Sequence, residues 1–449
     1  MTTPRRRLHL NAFLMSSGHH EAAWRLPESD PHADFDVGHW IRLARIAERG
    51  KLDSLFLADG PALWHSAEHR PAGALDPLIL LTVLAAATER IGLIATASTT
   101  YNSPYNLARR FNSLDHVSGG RAGWNIVTTS SRGAAQNFGL DVHPDPVARY
   151  ARADEFVDVA LRLWDSWEDG ASLGDKAAGR YTDPTRIHPI GHHGEHFRVE
   201  GPLNAPRSPQ GHPLLVQAGS STAGKALAAR HAEAVFTAQQ TLADGQAFYA
   251  DLKGQVEDAG RDRDSLKILP GVVPILGGTE AEARARAQQF DDAIVPAYGL
   301  AQLAELLQVP ADALDLDAQL PSEIPDADPD SPSRPALVVT LARRERLTVR
   351  ELIGRLGGGR GHRTLTGTPE QVADDLQTWF EQGAADGFNV MGAALPRDLE
   401  DFVDQVVPIL RTRGLFREDY SGATLRDHYG LPRPANRYAQ AVPPVAASA

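Results

Sequence analysis

The stretch LLVQAGSSTAGKALAARHAEAVF, Leu214 to Phe236, sets Gly219 four residues ahead of the pair Gly224 and Lys225. That spacing belongs to loops that cradle a nucleotide triphosphate, but such a loop needs Ser or Thr next to hold Mg²⁺, and here Ala226 follows. A triphosphate-bound metal is not held this way. What survives is an apolar strand running through small residues into a helix, whose free N–H groups and positive dipole end favour an anion. A phosphate seat and an ordinary strand-to-helix turn both account for the pattern.

Other side chains offer further chemistry. RYARADEFVDVALRLW predicts a helix from about Ala151, with Tyr150 and Arg149 at its threshold. A phenol and a guanidinium there make either a phosphate clamp or a packed staple. Asp59, where the apolar LFLADG meets a glycine, is a site carboxylate or a cap. His19 and His20 follow the first apolar run and are candidates for acid–base work, a role open to histidine as a residue type, or else lie in a solvated loop. HHGEH, His192 to His196, fits a metalloprotease pattern literally. Its glycines and prolines argue against the helix that pattern needs, and for a loop or hairpin packed by Phe197 and Leu203.

These residues need elements to position them. Apolar runs alternate with segments of helical period, as in parallel βα units. Eight strands are predicted: Leu8 to Met15, Ser54 to Asp59, Gly92 to Thr99, Gly123 to Thr129, Leu214 to Ser220, Ala234 to Gln239, Ile268 to Leu276 and Phe388 to Ala393. Eight such units suggest a closed (β/α)₈ barrel, whose sites form at the C-terminal ends of the strands. Five of those ends turn polar together: His19 and His20 after the first, Asp59, then Thr96, Ser98 and Thr99, then Asn125, Thr128 and Thr129, then Ser220 and Ser221. One polar pocket for a sizeable ligand is implied. The dinucleotide pattern G-x-G-x-x-G follows none of the strands, and the glycines of SGGRAGWNIVTT precede theirs, where they make a turn with Trp124 packing behind it.

Two segments exceed ordinary loop length and read as insertions, residues 170–212 and about 295–361, in a single domain spanning 1–435. The acidic, Pro-rich PSEIPDADPDSPSRP reads as a mobile surface excursion, and LTVRELIGRL after it as a helix. Residues 436–449 read as a disordered tail. With 45 basic and 57 acidic residues the 449-residue chain carries a formal charge of −12, which argues against a nucleic-acid or anionic-membrane partner. No cysteine is present, so disulfides, thiolate nucleophiles and thiolate-ligated metals are excluded. The start lacks an apolar run of signal-peptide length, and a soluble cytoplasmic protein is expected.

The blocks LHLNAF, GKLDSLFLADG, ERIGLIATASTTYNSPYNLARRFNSLDHVSGGRAGWNIVTT, NFG, RYARADEF, HHGEHFRVEGPL, PRSPQGHPLLVQAGSS, GAADGFNVM, FVDQVVPILRTRGLFREDY and TLRDHYGL carry a family likeness. Together they resemble the two-component, FMN-dependent monooxygenases of the bacterial luciferase-like superfamily, in the branch of nitrilotriacetate monooxygenase component A, dibenzothiophene-sulfone monooxygenase and long-chain alkane monooxygenase. The resemblance runs from about Leu8 to Pro432. It implies a (β/α)₈ barrel with insertions, reduced FMN from a separate NAD(P)H-dependent reductase, O₂ as co-substrate, and a homodimer or homotetramer. Ser220, Ser221 and Tyr150 would hold the FMN phosphate, with Asp59, Thr96 and Asn125 along the ring and ribityl chain. His19 or His20 would act near the reacting oxygen.

One position departs from the family pattern. A histidine commonly stands four residues before the tyrosine, and here Pro146 does. Weaker flavin binding is expected, unless Arg149 or His143 compensates. Leu14, Trp64 and the insertions would line the substrate side. The blocks DKAAG, PRSPQG and TLRDH point to the sulfone branch and an apolar ring compound. The alternatives are an F420-dependent oxidoreductase on the same barrel and a non-catalytic flavin-binding protein.

Overall fold

The computed structural model describes residues 6–63, 68–129, 131, 133–324, 334–359 and 361–439. Its strands are β1 (His9–Leu14), β2 (Ser54–Leu57), β3 (Gly92–Ser98), β4 (Ala122–Val127), β5 (Leu214–Ala218), β6 (Ala234–Thr237), β7 (Lys267–Leu276), β8 (Arg363–Gly367) and β9 (Gly387–Val390), all parallel, with two small hairpins apart from them. Eight of the nine close a ring, because β7 pairs with both β6 and β9, and β9 pairs with β1. The expected (β/α)₈ barrel is present. β8 was not among the expected strands. It pairs with β7 from Val272 to Leu276, beyond Pro270 where the β6 pairing ends.

Each barrel strand divides its side chains by alternation. Phe13, Phe56, Ile94, Val216, Leu269 and Met391 form one buried cluster, and Leu55, Leu57, Leu93, Ala95 and Trp124 belong to another with the helix faces. Those helices include α1 (Val37–Arg49), α2 (Pro77–Ala87), α3 (Pro104–Ser118), α4 (Pro146–Asp165), α5 (Thr222–His231), α6 (Leu242–Asp258) and α7 (Glu280–Ala293). Their starts are chemically specified: Asp36, Asp76, Asp145, Ser221 and Thr241 each accept a backbone N–H at the first turn. α4 begins at Pro146, capped by Asp145, rather than at Ala151, so Tyr150 and Arg149 lie inside the helix.

The N-terminal face of the barrel is closed by the chain after β9. Leu425 and Tyr429 enter the inner cluster, and the Tyr429 hydroxyl donates to Asn11 Oδ1 at 2.9 Å. Arg417 reaches the buried Asp53 carboxylate, which also accepts from the Leu10 amide at 2.7 Å. Burial alone would raise Asp53, but Arg417 and then His9 outweigh it and hold the carboxyl below its ordinary range. Among the described residues this leaves the C-terminal face for a site.

The first insertion is built from antiparallel hairpins, Ser172–Asp175 with Arg180–Thr182 and His192–His193 with Arg198–Val199, the second of which is the hairpin expected at HHGEH. Glu155 of α4 clamps it through His192 Nε2 at 2.8 Å and the amides of His196 and Phe197, each at 2.9 Å. The second insertion has a core of its own. α8 (Pro296–Leu307), α9 (Arg334–Glu345) and α10 (Val349–Gly359) bury Leu303, Leu314, Leu320, Val338 and Leu352 together. Most of PSEIPDADPDSPSRP lies outside the described residues. α11 (Pro369–Glu381) follows, with a reciprocal cap between Thr368 and Gln371. Packing continues past Ala435, since Asn436 is buried and donates to the carbonyls of Asp165 and Trp167, and Tyr438 stacks on His188 at 4.9 Å. Residues 440–449 lie outside the described residues. Among the described residues no helix is long and apolar enough to cross a membrane.

Candidate active site

β5 ends at Ala218, and Gly219 and Ser220 carry the chain to Ser221, which caps α5 by accepting from the Gly224 amide at 3.2 Å. A cradle forms there. A methyl group placed on Gly224 would stand 3.1 Å from Ser221 Oγ, 3.2 Å from the Tyr150 hydroxyl and 3.3 Å from Gln217 Nε2. One placed on Gly219 would stand 2.8 Å from the same Gln217 nitrogen. Three polar groups thus converge where two glycines leave room, at the positive end of a helix. Lys225 is turned elsewhere, to Asp251 of α6, so the lysine that suggested a triphosphate loop does not serve the cradle.

Arg149 does not serve it either. Its Nε donates to the Pro144 carbonyl at 3.1 Å and its Nη1 to the carbonyls of Thr128 and Thr129 at 3.1 and 2.9 Å. The guanidinium fixes the end of β4, so the clamp expected of the Arg149 and Tyr150 pair reduces to Tyr150. His143 hydrogen-bonds the Tyr101 hydroxyl through Nδ1 at 2.8 Å.

Inside the barrel mouth, Thr96 and Asn125 stand opposite each other on β3 and β4, with Asn125 Nδ2 donating to Thr96 Oγ1 at 2.8 Å. Asn125 Oδ1 and Gln217 Oε1 are buried without a hydrogen-bond partner. Buried acceptors of this kind are costly and call for a donor from elsewhere. Hydroxyls crowd the same rim: Thr129 Oγ1 donates to Ser98 Oγ at 2.7 Å, and Thr129 holds a φ of +48°, a strained conformation for a β-branched residue. Asp59 follows β2 on the same face. It is exposed, yet its carboxyl is pushed above the ordinary range, first by desolvation from the protein around it and then by the Asp76 carboxylate. A side chain in a wet crevice satisfies both observations.

The two histidines part company. His19 is buried, edge-on to Phe13 at 4.5 Å, and its Nε2 donates to the Phe13 carbonyl at 2.9 Å. A carbonyl only accepts, so a proton sits on Nε2. His20 is wedged between Phe290 of α7, at 4.7 Å, and Gly357 of α10, and its Nδ1 accepts from the Ala22 amide. Neither is the solvated loop residue weighed above. Phe13 also meets Phe56 at 4.9 Å and Phe236 at 5.3 Å, and His362 stacks on Phe236 at 4.8 Å. Gln217, Phe236 and His362 escaped the sequence reading, Gln217 because it sits inside an apolar strand pattern and His362 because it follows a Gly-rich stretch with no period. Trp64 lies outside the described residues. Among the described residues no cluster of His, Asp and Glu has metal-holding geometry, and the HHGEH histidine His192 is occupied by Glu155.

The luciferase-like monooxygenase family model matches residues 12–386. The chain belongs to the luciferase-like monooxygenase family. Nitrilotriacetate monooxygenase component A from Aminobacter aminovorans is 50% identical over 97% of this chain and 99% of its own length. Dibenzothiophene-sulfone monooxygenase from Rhodococcus erythropolis (strain XP) is 42% identical over 96% and 98%. Among solved structures, the EDTA monooxygenase from Chelativorans sp. BNC1 superposes with a TM-score of 0.79 at 37% identity, covering 96% of this chain and all of the other. Identity therefore does not favour the sulfone enzyme over the aminopolycarboxylate one, contrary to the direction taken from DKAAG, PRSPQG and TLRDH. This luciferase-like chain keeps the full length and barrel of enzymes named as monooxygenases.

Proposed function

We propose that the chain oxygenates a small organic substrate with O₂ and reduced FMN, the flavin being supplied by a separate NAD(P)H-dependent reductase. The observation that carries the reading is the cradle of Tyr150, Ser221, Gln217 and the two glycines at the head of α5, beside the buried acceptors of the barrel mouth. These residues fit a phosphorylated flavin. Tyr150, Ser220 and Ser221 would hold the phosphate with Gln217 beside them, the unpartnered Asn125 oxygen would accept from a ribityl hydroxyl, and Thr96 and Asp59 would lie along the ring system. Reduced FMN, when bound, supplies the electrons that activate O₂.

The protein's own tasks are orientation, exclusion of water and control of a proton. Phe13, Phe56 and Phe236 make the barrel centre apolar, which favours transfer to substrate over loss as hydrogen peroxide. His19, held through Nε2 on the Phe13 carbonyl beside the aromatic centre, would be the group that moves the proton. A relative named as a "component A" supports a separate reductase. The test is a stopped-flow experiment in which the anaerobic complex with reduced FMN is mixed with oxygenated buffer. Reoxidation through a transient absorbing species, distinct from both free flavin forms, supports the reading. Reoxidation with the course seen in buffer alone overturns it.

A further inference from the structure

The chain is poor in sulfur. It holds no cysteine and 3 methionines, Met1, Met15 and Met391, of which Met15 and Met391 are among the described residues. Met15 follows β1 and is half-buried, whereas Met391 follows β9 and is 2% exposed. The Met391 amide donates to the Val272 carbonyl of β7 at 2.9 Å, and its side chain joins the inner cluster with Phe13 and Phe56. A methyl group on Gly271 of β7 would stand 2.8 Å from Met391 Sδ, 2.5 Å from His362 Nδ1 and 2.9 Å from Phe236 Cε2. Thioether, imidazole and phenyl ring thus meet around one point. Phe236 in turn lies 5.3 Å from Phe13 and 5.6 Å from Phe56. The sulfur therefore lines the same apolar centre in which the oxygen chemistry is placed.

We propose that Met391 is a self-oxidation site: when no organic substrate is consumed, hydrogen peroxide formed inside the barrel oxidises its thioether to the sulfoxide. The oxidant is the two-electron reduction product of O₂ that the function proposed above supplies, and the assignment rests on that function. A sulfur lone pair attacks one peroxide oxygen, the O–O bond breaks, and the second oxygen leaves as water after proton transfer. Sulfur is oxidised by two electrons and peroxide is reduced by two. Burial shields this thioether from peroxide in bulk solvent, but not from peroxide released beside it. The product sets a polar oxygen among Gly271, Phe236 and His362 in place of a soft, apolar side chain. Oxidation should therefore disturb the wall beside the flavin and weaken reduced-FMN binding.

Peptide mass mapping of the full chain tests this after repeated cycles of reduced FMN and O₂, with catalase present and no organic substrate. Met391 should gain one oxygen atom several-fold faster than Met15. Hydrogen peroxide added without flavin should give the reverse order, because Met15 is the more exposed. M391L, a swap of nearly conserved volume, should hold its own reduced-FMN affinity through cycles that lower that of the wild type several-fold. Unmodified Met391 after cycling, the same order of oxidation under both treatments, or an equal loss of affinity in M391L overturns the proposal. The transient absorbing species separates the two readings. Cycles that pass through it and leave Met391 intact overturn the proposal alone, whereas its absence overturns the flavin reading and the proposal together.

Discussion

Removing the Tyr150 hydroxyl should weaken reduced-FMN binding by about 2 kcal/mol, roughly thirtyfold, because a hydrogen bond to a charged phosphate is lost without loss of packing. Anaerobic fluorescence titration of Y150F reads this directly, and an unchanged affinity would remove Tyr150 from the cradle. The two histidines should separate just as sharply. His19→Asn is expected to lower the rate of substrate oxygenation by about 10² or more and to raise hydrogen peroxide release, whereas His20→Asn, away from the aromatic centre, should chiefly lower the melting temperature. Measured turnover, peroxide yield and melting of the two variants decide between them. Residue types at strand ends were enough to select Thr96, Asn125 and Ser221 as candidates, and all three stand at the C-terminal ends of their strands. The roles of Gln217 and Arg149 could not be found this way, because a strand's outward face and the partner of a guanidinium depend on helices distant in sequence.

At the scale of elements, Pro146 sits one turn before Tyr150 on the same face of α4. Its ring is well suited to the first helical position, so the fold tolerates it, but it has no donor to offer. Pro146→His should therefore tighten reduced-FMN binding several-fold with little change in stability, and a titration showing no gain would mean that another group already fills that role. Strand closure gives a second prediction. A methyl group on Gly387, where β9 meets β1, would fall 1.9 Å from the His9 carbonyl oxygen, so Gly387→Ala should cost about 3 kcal/mol in urea unfolding. The barrel strands were legible because each is a short apolar run between helical periods. β8 was not, since RTLTG is neither apolar nor alternating and owes its pairing to the C-terminal half of β7, which β6 leaves unpaired. The early start of α4 was missed because Asp145 and Pro146, a cap and a first-turn proline, carried the signal and the apolar period began later.

For the whole molecule, the closed N-terminal face implies a dependence of stability on pH. Burial holds His212, His231 and His428 below the ordinary histidine range, in spite of the Asp165 and Asp154 carboxylates beside the first two. An unfolded chain then binds more protons than the folded one below about pH 6.5, so stability is complete above that value and is lost as pH falls. Asp53 adds a second loss at lower pH, since its depressed pKa contributes stability that is present above about 3.9 and disappears as pH falls through the folded value. Melting temperature should hold steady from pH 8 to 7 and decline from 6.5 to 5, and a flat profile would contradict the burial of these rings. Composition and the alternation of elements made the single barrel legible, but not the docking of Leu425, Tyr429 and Asn436, whose partners lie hundreds of residues away. The central claim is a flavin phosphate in the cradle at α5, and the most direct test is the affinity for reduced FMN against reduced riboflavin, which lacks the phosphate, with reduced F420 as a third ligand. Saturable binding of reduced FMN, with riboflavin weaker by about a hundredfold and F420 not bound, is the predicted result. Equal binding of riboflavin, or a preference for F420, would contradict it.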